Sequence, residues 1–426
     1  MQNFFKKISL IIKDSSLRNR IIFVAVMLVI FRLLSVIPVP GIDPLKLQQF
    51  FASPAGDIFG LFNIFSGGGL SKLSIVMLGV GPYITASIVM QLLTMIFPKL
   101  KEMYQQEGEA GKAKFTQYSR LLTVPLALVQ GGGFLLLLQK SGVITQLTSL
   151  EMITNIMVII GGSMLLMWIG ELMTEFGIGN GTSLIIFAGI VAAVPQHLTQ
   201  LLVTFSPAQI PLYIGFAFVA LLVVLGVVIV TEAERPIPVT YAKRVRGSKV
   251  YGGVSTYLPL RVNQAGVIPI IFALSILLFP QMIFQYLTTA IPTGMINTIA
   301  THILALLKNG WFYSIFYFIL VFLFTYFYTA VTFDPHAISE NLQKNGAFIP
   351  GVRPGISTAE YIGKVLTRIT LVGACFLGLI AVMPLAMKAL TGIQSLAIGG
   401  TALLIVVSVV IDLIKKIDAQ VSMREY

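Results

Sequence analysis

The sequence has little of what soluble enzymes and disulfide-stapled domains are built from. Cysteine occurs once in 426 residues, at Cys375. That excludes a disulfide framework and a cysteine-based metal site, and leaves Cys375 as a small apolar packing residue. Charged residues make up 11% of the chain, against about 25% in an ordinary soluble domain. The three histidines, His197, His302 and His336, lie near the ends of apolar runs or in loops. No P-loop, metal-ligand cluster or nucleophile–base pair stands out, so neither catalysis nor a cofactor is expected. The first apolar run contains Arg32 and ends in "IPVPGI" without a small-residue cleavage pattern, so a cleavable signal peptide is not expected.

What is present is apolar length. Hydrophobic residues reach 56% and the mean hydropathy is +0.89. Apolar runs centre on residues 21–37, 73–97, 118–138, 152–173, 182–204, 210–231, 264–286, 311–333, 366–387 and 395–414, each long enough for a transmembrane helix. Strands are not expected, because alternation is weak and Gly and Pro fall inside continuous runs. The expected fold is an all-α polytopic membrane protein with ten transmembrane helices.

Ten crossings put both termini on one side. With that side inside, only Lys46, Lys72, Lys140, Lys308 and Lys388 fall in outer segments and Arg32 in a span, while the rest of the 29 Lys and Arg face inward. The asymmetry predicts cytoplasmic termini. Topology signals and anionic lipid would account for this basic face, but two loops are richer than that requires. "YAKRVRGSKVYGG" (241–253) carries Lys243, Arg244, Arg246 and Lys249, and "NGAFIPGVRPG" (345–355) holds Arg353 in a Pro/Gly frame. Such loops between spans carry function and point to a polyanionic or acidic partner.

The chain also repeats itself. "GVGPYITASI" (79–88) and "GVIPIIFALSI" (266–276) both begin Gly-Val-x-Pro, and an offset of 187 pairs Val80 with Val267 and Ile84 with Ile271. "GTSLII" (181–186) likewise matches "GTALLI" (400–405), pairing Ile186 with Ile405. Spans two and five thus match seven and ten, the order expected of two inverted five-span halves whose working site lies where they meet. A small-solute transporter built this way is the alternative reading, and it would place polar or ionisable groups there. Here the positions are Val80, Ile84, Ile186, Ile271 and Ile405, with Arg32, Glu171 and Asp412 the main charges within spans. These residues are either ordinary helix packing or an apolar constriction that excludes water and ions by dewetting. Pro82 and Pro269 beside them are expected to break the helical ladder and let both helices bend.

Several stretches resemble the SecY family, the central subunits of the Sec protein-conducting channel. They are "IPVPGI", "GGGLSKLSIVMLGVGPYITASIVMQLL", "GIGNGTSLIIFAGIV", "QAGVIPIIFALSILLFP", "NGAFIPGVRPG" and "GGTALLIVVSVVID". The resemblance covers essentially the whole chain in order. It implies two halves (21–205 and 206–414) around a central pore, an N-terminal segment 1–20, cytoplasmic loops at about 232–263 and 334–365, and a tail 415–426. It also implies a pore ring at Val80, Ile84, Ile186, Ile271 and Ile405, where Val80 replaces the more usual isoleucine.

By the same resemblance, a short re-entrant plug helix at about 57–70 covers the ring with Ile58, Phe59, Leu61, Phe62, Ile64 and Phe65. Gly67, Gly68 and Gly69 are its hinge. A lateral gate opens between spans two and seven, with Thr85, Ser87 and Gln91 facing Ser275 and Phe279. The simpler reading of this polar seam is an interhelical hydrogen bond worth about 0.6 kcal/mol. Lys243, Arg244, Arg246, Lys249 and Arg353 become docking residues for the SecA ATPase or the ribosome, since Arg suits RNA phosphate and acidic surfaces alike. The implied protein is a passive channel in the bacterial cytoplasmic (inner) membrane. It acts with the small subunits SecE and SecG on signal peptides and nascent polypeptides, releases membrane segments into lipid, and has no DNA partner.

Overall fold

The computed structural model describes residues 14–40, 46–47, 63, 66–105, 107–140, 142–144, 148–203, 210–241, 244–246, 249–251, 255–291, 294–391 and 399–422. Thirteen helices of eight or more residues are present among them: α1 (Ser15–Leu34), α2 (Gly81–Ile96), α3 (Pro98–Gln105), α4 (Gly108–Lys140), α5 (Ser149–Phe176), α6 (Gly181–Val203), α7 (Ile210–Glu232), α8 (Ile268–Ala290), α9 (Met295–Lys308), α10 (Gly310–Thr332), α11 (Pro335–Lys344), α12 (Ile356–Thr391) and α13 (Gly399–Ser422). Each of the ten apolar runs overlaps one of the long helices.

Among the described residues, four helical stretches are by themselves long and apolar enough to cross a bilayer: Gly108–Gln139, Ser149–Phe176, Gly310–Lys344 and Ile356–Met387. The bent pair α2–α3, with an angle of 117° at Phe97, makes five. Span two differs from its apolar run at the start. Residues 66–80 form a succession of turns, and helix begins only at Gly81. The chain is a helical membrane protein.

Helix starts follow side-chain chemistry. Asp14 caps α1 by accepting from the Ser16 amide at 2.9 Å. Thr148 and Glu151 form a reciprocal capping box at α5, with the Glu151 carboxylate accepting from the Thr148 amide at 2.8 Å. Each satisfies amide groups that the first helical turn leaves without partners.

Strands do occur, contrary to expectation, and all of them lie outside the apolar runs. After α7 come β1 (Glu234–Tyr241), β2 (Arg244–Arg246), β3 (Lys249–Tyr251) and β4 (Ser255–Arg261), and β5 (Ala347–Phe348) follows α11. The antiparallel sheet order is β4-β1-β5, and β2 pairs with β3. Prolines in β1 and β4 argue against strand from sequence alone, but the register resolves this. Pro236 faces Pro259. Neither can donate, so the pair occupies a non-hydrogen-bonded site of the ladder, as does Pro238 two residues on. Alternate residues Ile237 and Val239 are buried, packing with Leu260, Ala347, Ile349 and Ile362 in a small core of their own.

The main core unites α1, α2, α5, α6, α7, α8, α10, α12 and α13. A second cluster packs Leu70, Leu73, Met77 and Leu78 of the turn segment against Phe134, Leu135 and Leu138 of α4 and Ile159 of α5. Helix α5 approaches the turns so closely that a Cβ on Gly162 would collide with the Ile75 carbonyl. Gly162→Ala should therefore cost about 1–3 kcal/mol through overpacking. A thermal midpoint of the detergent-solubilised chain that stays at the wild-type value would contradict this packing.

Candidate pore constriction and gate

The two Gly-Val-x-Pro copies adopt the same backbone. Gly79 has φ +59° and Gly266 φ +61°. Val80, the N-cap of α2, sits at φ −89°, ψ 5°, and Val267, the N-cap of α8, at φ −93°, ψ −6°. The left-handed glycine reverses the chain, and the helix starts one residue after the valine. Ile84 and Ile271 then lie at the same place, one turn in, with their amides donating to Val80 and Val267 carbonyls at 3.0 and 3.3 Å. The prolines have a different job from the one expected. Pro82 and Pro269 occupy the second helical position, where a missing N–H costs nothing. They start the helices and do not bend them. The proline inside α8 is Pro280, and α2 has no interior proline.

The residues of the expected ring all fall in or against the main apolar core. Val80, Ile186 on α6, Ile271 on α8 and Ile405 on α13 are buried in one cluster, and Ile84, partly buried, packs against it. Beside that cluster lies a pocket of about 260 Å³, lined among others by Asn180, Ser183, Arg261, Asn263, Ser408 and Lys416. Val267, Leu184 and Val409 belong to both. The apolar core thus adjoins a pocket lined by both polar and apolar side chains. No group of three or more His, Cys, Asp or Glu fit to hold a metal occurs among the described residues.

Of the expected plug, Ile58, Phe59, Leu61, Phe62, Ile64 and Phe65 lie outside the described residues. The glycines after them are tightly held. Gly67 and Gly68 have φ +67° and +80°, and a Cβ on Gly67 would collide with the Phe31 ring of α1. Asn63 accepts from the Gly68 and Ser71 amides at 2.9 and 2.8 Å, through its carbonyl and side-chain oxygens. The Ser66 hydroxyl accepts from the Leu70 amide at 2.9 Å.

Arg32 had no assigned role. It donates through Nη1 to the Gly67 carbonyl at 3.1 Å. A cation at the bilayer centre costs about 2.5–3.5 kcal/mol even on insertion scales, so its place is against this turn and not against lipid. Ser163 of α5 donates to the Gly79 carbonyl at 3.1 Å, both buried, and fixes the turn ahead of Val80. Further along α2, Tyr83 donates to Glu171 at 3.4 Å, and Arg120 of α4 donates to the same oxygen at 2.9 Å. Arg32 and Glu171 were detectable as isolated charges in apolar runs. Ser163 gave no such signal.

The gate residues bond differently from expectation. Thr85 donates to the Gly81 carbonyl at 3.0 Å, and Ser275 to Ile271 at 2.9 Å. Gln91 donates to Ser87 at 3.4 Å. All three bonds stay within one helix: the Thr85 and Ser275 hydroxyls reach their own i−4 carbonyls, and the Gln91 amide reaches the side chain one turn back. The α2–α8 contact is therefore packed without these bonds crossing it. Phe279 is on α8, its side chain outside the described residues.

The two basic loops converge. Thr240 and Tyr241 of β1 pair with Phe348 and Ala347 of β5, so loop 345–355 sits at the root of loop 241–253. Lys243 lies outside the described residues. Arg244 pairs with Tyr251 and Arg246 with Lys249 along the β2–β3 backbone, the side chains of all three basic residues again undescribed. Arg353 is exposed, and its carbonyl accepts from the Thr358 hydroxyl at 2.8 Å.

A model of the family described as SecY matches residues 74–414. The chain belongs to the SecY family. It is 40% identical over 437 residues to the protein translocase subunit SecY of Mycobacterium bovis, covering 97% of each. It is 41% identical over 435 residues to that of Streptomyces coelicolor, again covering 97% of each. Among solved structures, a protein-conducting channel matches with a TM-score of 0.67 at 20% identity, over 96% of this chain and 93% of that one. Sec61 from the canine ribosome–channel complex matches at 0.63 and 19%, with the same coverage. The SecY-family fold is thus shared with channels whose sequences have drifted far from this one.

Arg32→Leu should free the glycine turn. The measurement is hydrogen exchange at the amides of residues 66–71, expected to quicken several-fold. Unchanged exchange would show that the arginine does not hold the turn.

Proposed function

We propose that this chain is the pore-forming subunit of a Sec translocon. It passes unfolded secretory polypeptides across the bacterial cytoplasmic membrane and releases membrane segments sideways between α2 and α8. The reading includes ten crossings, two inverted five-helix halves and cytoplasmic termini. What supports it is that Val80, Ile84, Ile186, Ile271 and Ile405, from four separate helices, all lie in or against one apolar core beside a pocket. An apolar constriction excludes ions at rest without binding anything, which suits a passage for chains of every sequence. A solute pocket would instead gather polar ligands there.

In this reading the segment before Gly67 is the plug, covering the ring in the closed channel, and its glycine turn is the pivot tied to α1. A polypeptide must displace that segment and push the aliphatic side chains apart. The α2–α8 seam is suited to lateral opening: Thr85 and Ser275 donate to carbonyls of their own helices, and Gln91 donates to Ser87 within α2, so parting those helices breaks none of these bonds. The channel performs no chemistry of its own. SecA or a ribosome supplies the drive by docking on Lys243, Arg244, Arg246, Lys249 and Arg353, and SecE and SecG complete the membrane assembly.

The deciding experiment is reconstitution with SecE, SecG and SecA in proteoliposomes, followed by ATP-dependent import of a secretory precursor. Import supports the translocon. Its absence, together with saturable uptake of a labelled small solute, would overturn it. Within the same vesicles, Ile84→Ser with Ile271→Ser should raise resting ion conductance several-fold. Equal conductance would reduce the ring to helix packing. Arg353→Glu should depress SecA-driven import while leaving resting conductance alone. Undiminished import would remove Arg353 from the docking surface.

A further inference from the structure

Helix α9 has three faces, and only two are explained by folding. Ala300 and Leu304 are buried where α9 packs on α8 and α10. Thr298 and Thr301 are exposed, their hydroxyls bonded back to Gly294 and Asn297 of their own chain. The third face is exposed and mainly apolar, with His302 at its border toward the threonines. Met295, Ile299 and Leu306 fall within about 40° of one another on the helical wheel at 3.6 residues per turn. They are 81%, 48% and 53% exposed. Fourteen residues span only about 21 Å, too short for a bilayer core of about 30 Å, so this face is not part of a crossing.

Its level in the membrane is fixed by its neighbour. Asn309 is at once the C-cap of α9 and the N-cap of α10, its side chain accepting from the Trp311 amide at 3.1 Å. One residue therefore turns the chain from α9 into α10, which begins a stretch long and apolar enough to cross a bilayer. Trp311, 79% exposed, stands in the first turn of that crossing, where tryptophan marks the boundary between headgroups and acyl chains. The exposed Phe312, Ile315 and Phe316 continue the bare surface down α10.

We propose that α9 is an in-plane anchor. It lies in the membrane interface with Met295, Ile299 and Leu306 inserted among the acyl chains and its threonine face toward water. The partner is the lipid boundary itself, because α9 is joined through Asn309 to a helix that opens with the exposed Trp311 and continues with the exposed apolar Phe312, Ile315 and Phe316. An amphipathic helix so placed gains by burying its apolar face below the headgroups. Since α9 packs on α8, the membrane surface then grips the far end of the helix that carries Ile271. This holds whether or not the α2–α8 seam opens.

The test uses the full chain in phospholipid vesicles, in a Cys375→Ala background. Ile299→Cys, Leu306→Cys and Thr301→Cys each carry an environment-sensitive fluorophore, read with a lipid-bound nitroxide quencher and with aqueous iodide. The expected result is strong nitroxide and weak iodide quenching at 299 and 306, and the reverse at 301. Iodide quenching at all three positions would overturn the proposal. So would protection of 299 and 306 from both quenchers, which means that protein, a second copy or a partner subunit, covers the face. In a Trp168→Phe variant the remaining Trp311 gives a label-free control: brominated lipid should quench it, and failure to do so also overturns the placement.

Discussion

Inside a bilayer every backbone amide and carbonyl must find its partner within the protein. For most of this chain the helical ladder meets that demand. The demand becomes acute at residues 66–80, most of which are buried and which coil through successive turns. There the chain meets it piecemeal. Turn bonds link Gly69 to Ser66, Ser74 to Gly69 and Gly79 to Val76, and the segment after α1 docks beside them through Val39 to Leu73 and Ile75 to Ile37. Side chains of Asn63, Ser66, Arg32 and Ser163 take up further groups. Val80 reaches the main apolar core because this irregular stretch can be buried. Without it α2 would run straight, and Val80 would be one more lipid-facing residue.

The same stretch is strained. Leu73 is fully buried with φ +44°, a conformation that a bulky residue adopts at a cost of about 1–3 kcal/mol. Tight packing against α4 holds it there.

Much of this was legible in the sequence, and the reasons differ by feature. The apolar runs report helix because bilayer-length hydrophobicity has few other outcomes. The Gly-Val-x-Pro repeat led to Val80, Ile84 and Ile271 because an identical backbone turn needs the same residues twice. It misled about the prolines, since composition does not say whether a proline begins a helix or interrupts it. The strands escaped notice because Pro236, Pro238 and Pro259 obscure their alternation, and only the cross-strand register shows them harmless. The intrahelical bonds of Thr85 and Ser275 escaped because a hydroxyl's partner depends on local geometry that residue type leaves open. Arg32 was conspicuous as a charge, yet its acceptor is a main-chain carbonyl of a distant turn, which has no signature in residue identity.

The small sheet outside the apolar runs has a mechanical consequence. Strand β1 continues from α7 after a single residue, β4 ends seven residues before α8 begins, and β5 leads through the Arg353 loop into α12. Three helices are thus rooted in one stiff plate with its own core. A load applied anywhere on that plate is delivered as a common torque to α7, α8 and α12, and α8 carries Ile271 in its first turn. The plate thus acts as a shared anchor: any displacement of it moves the roots of α7, α8 and α12 together.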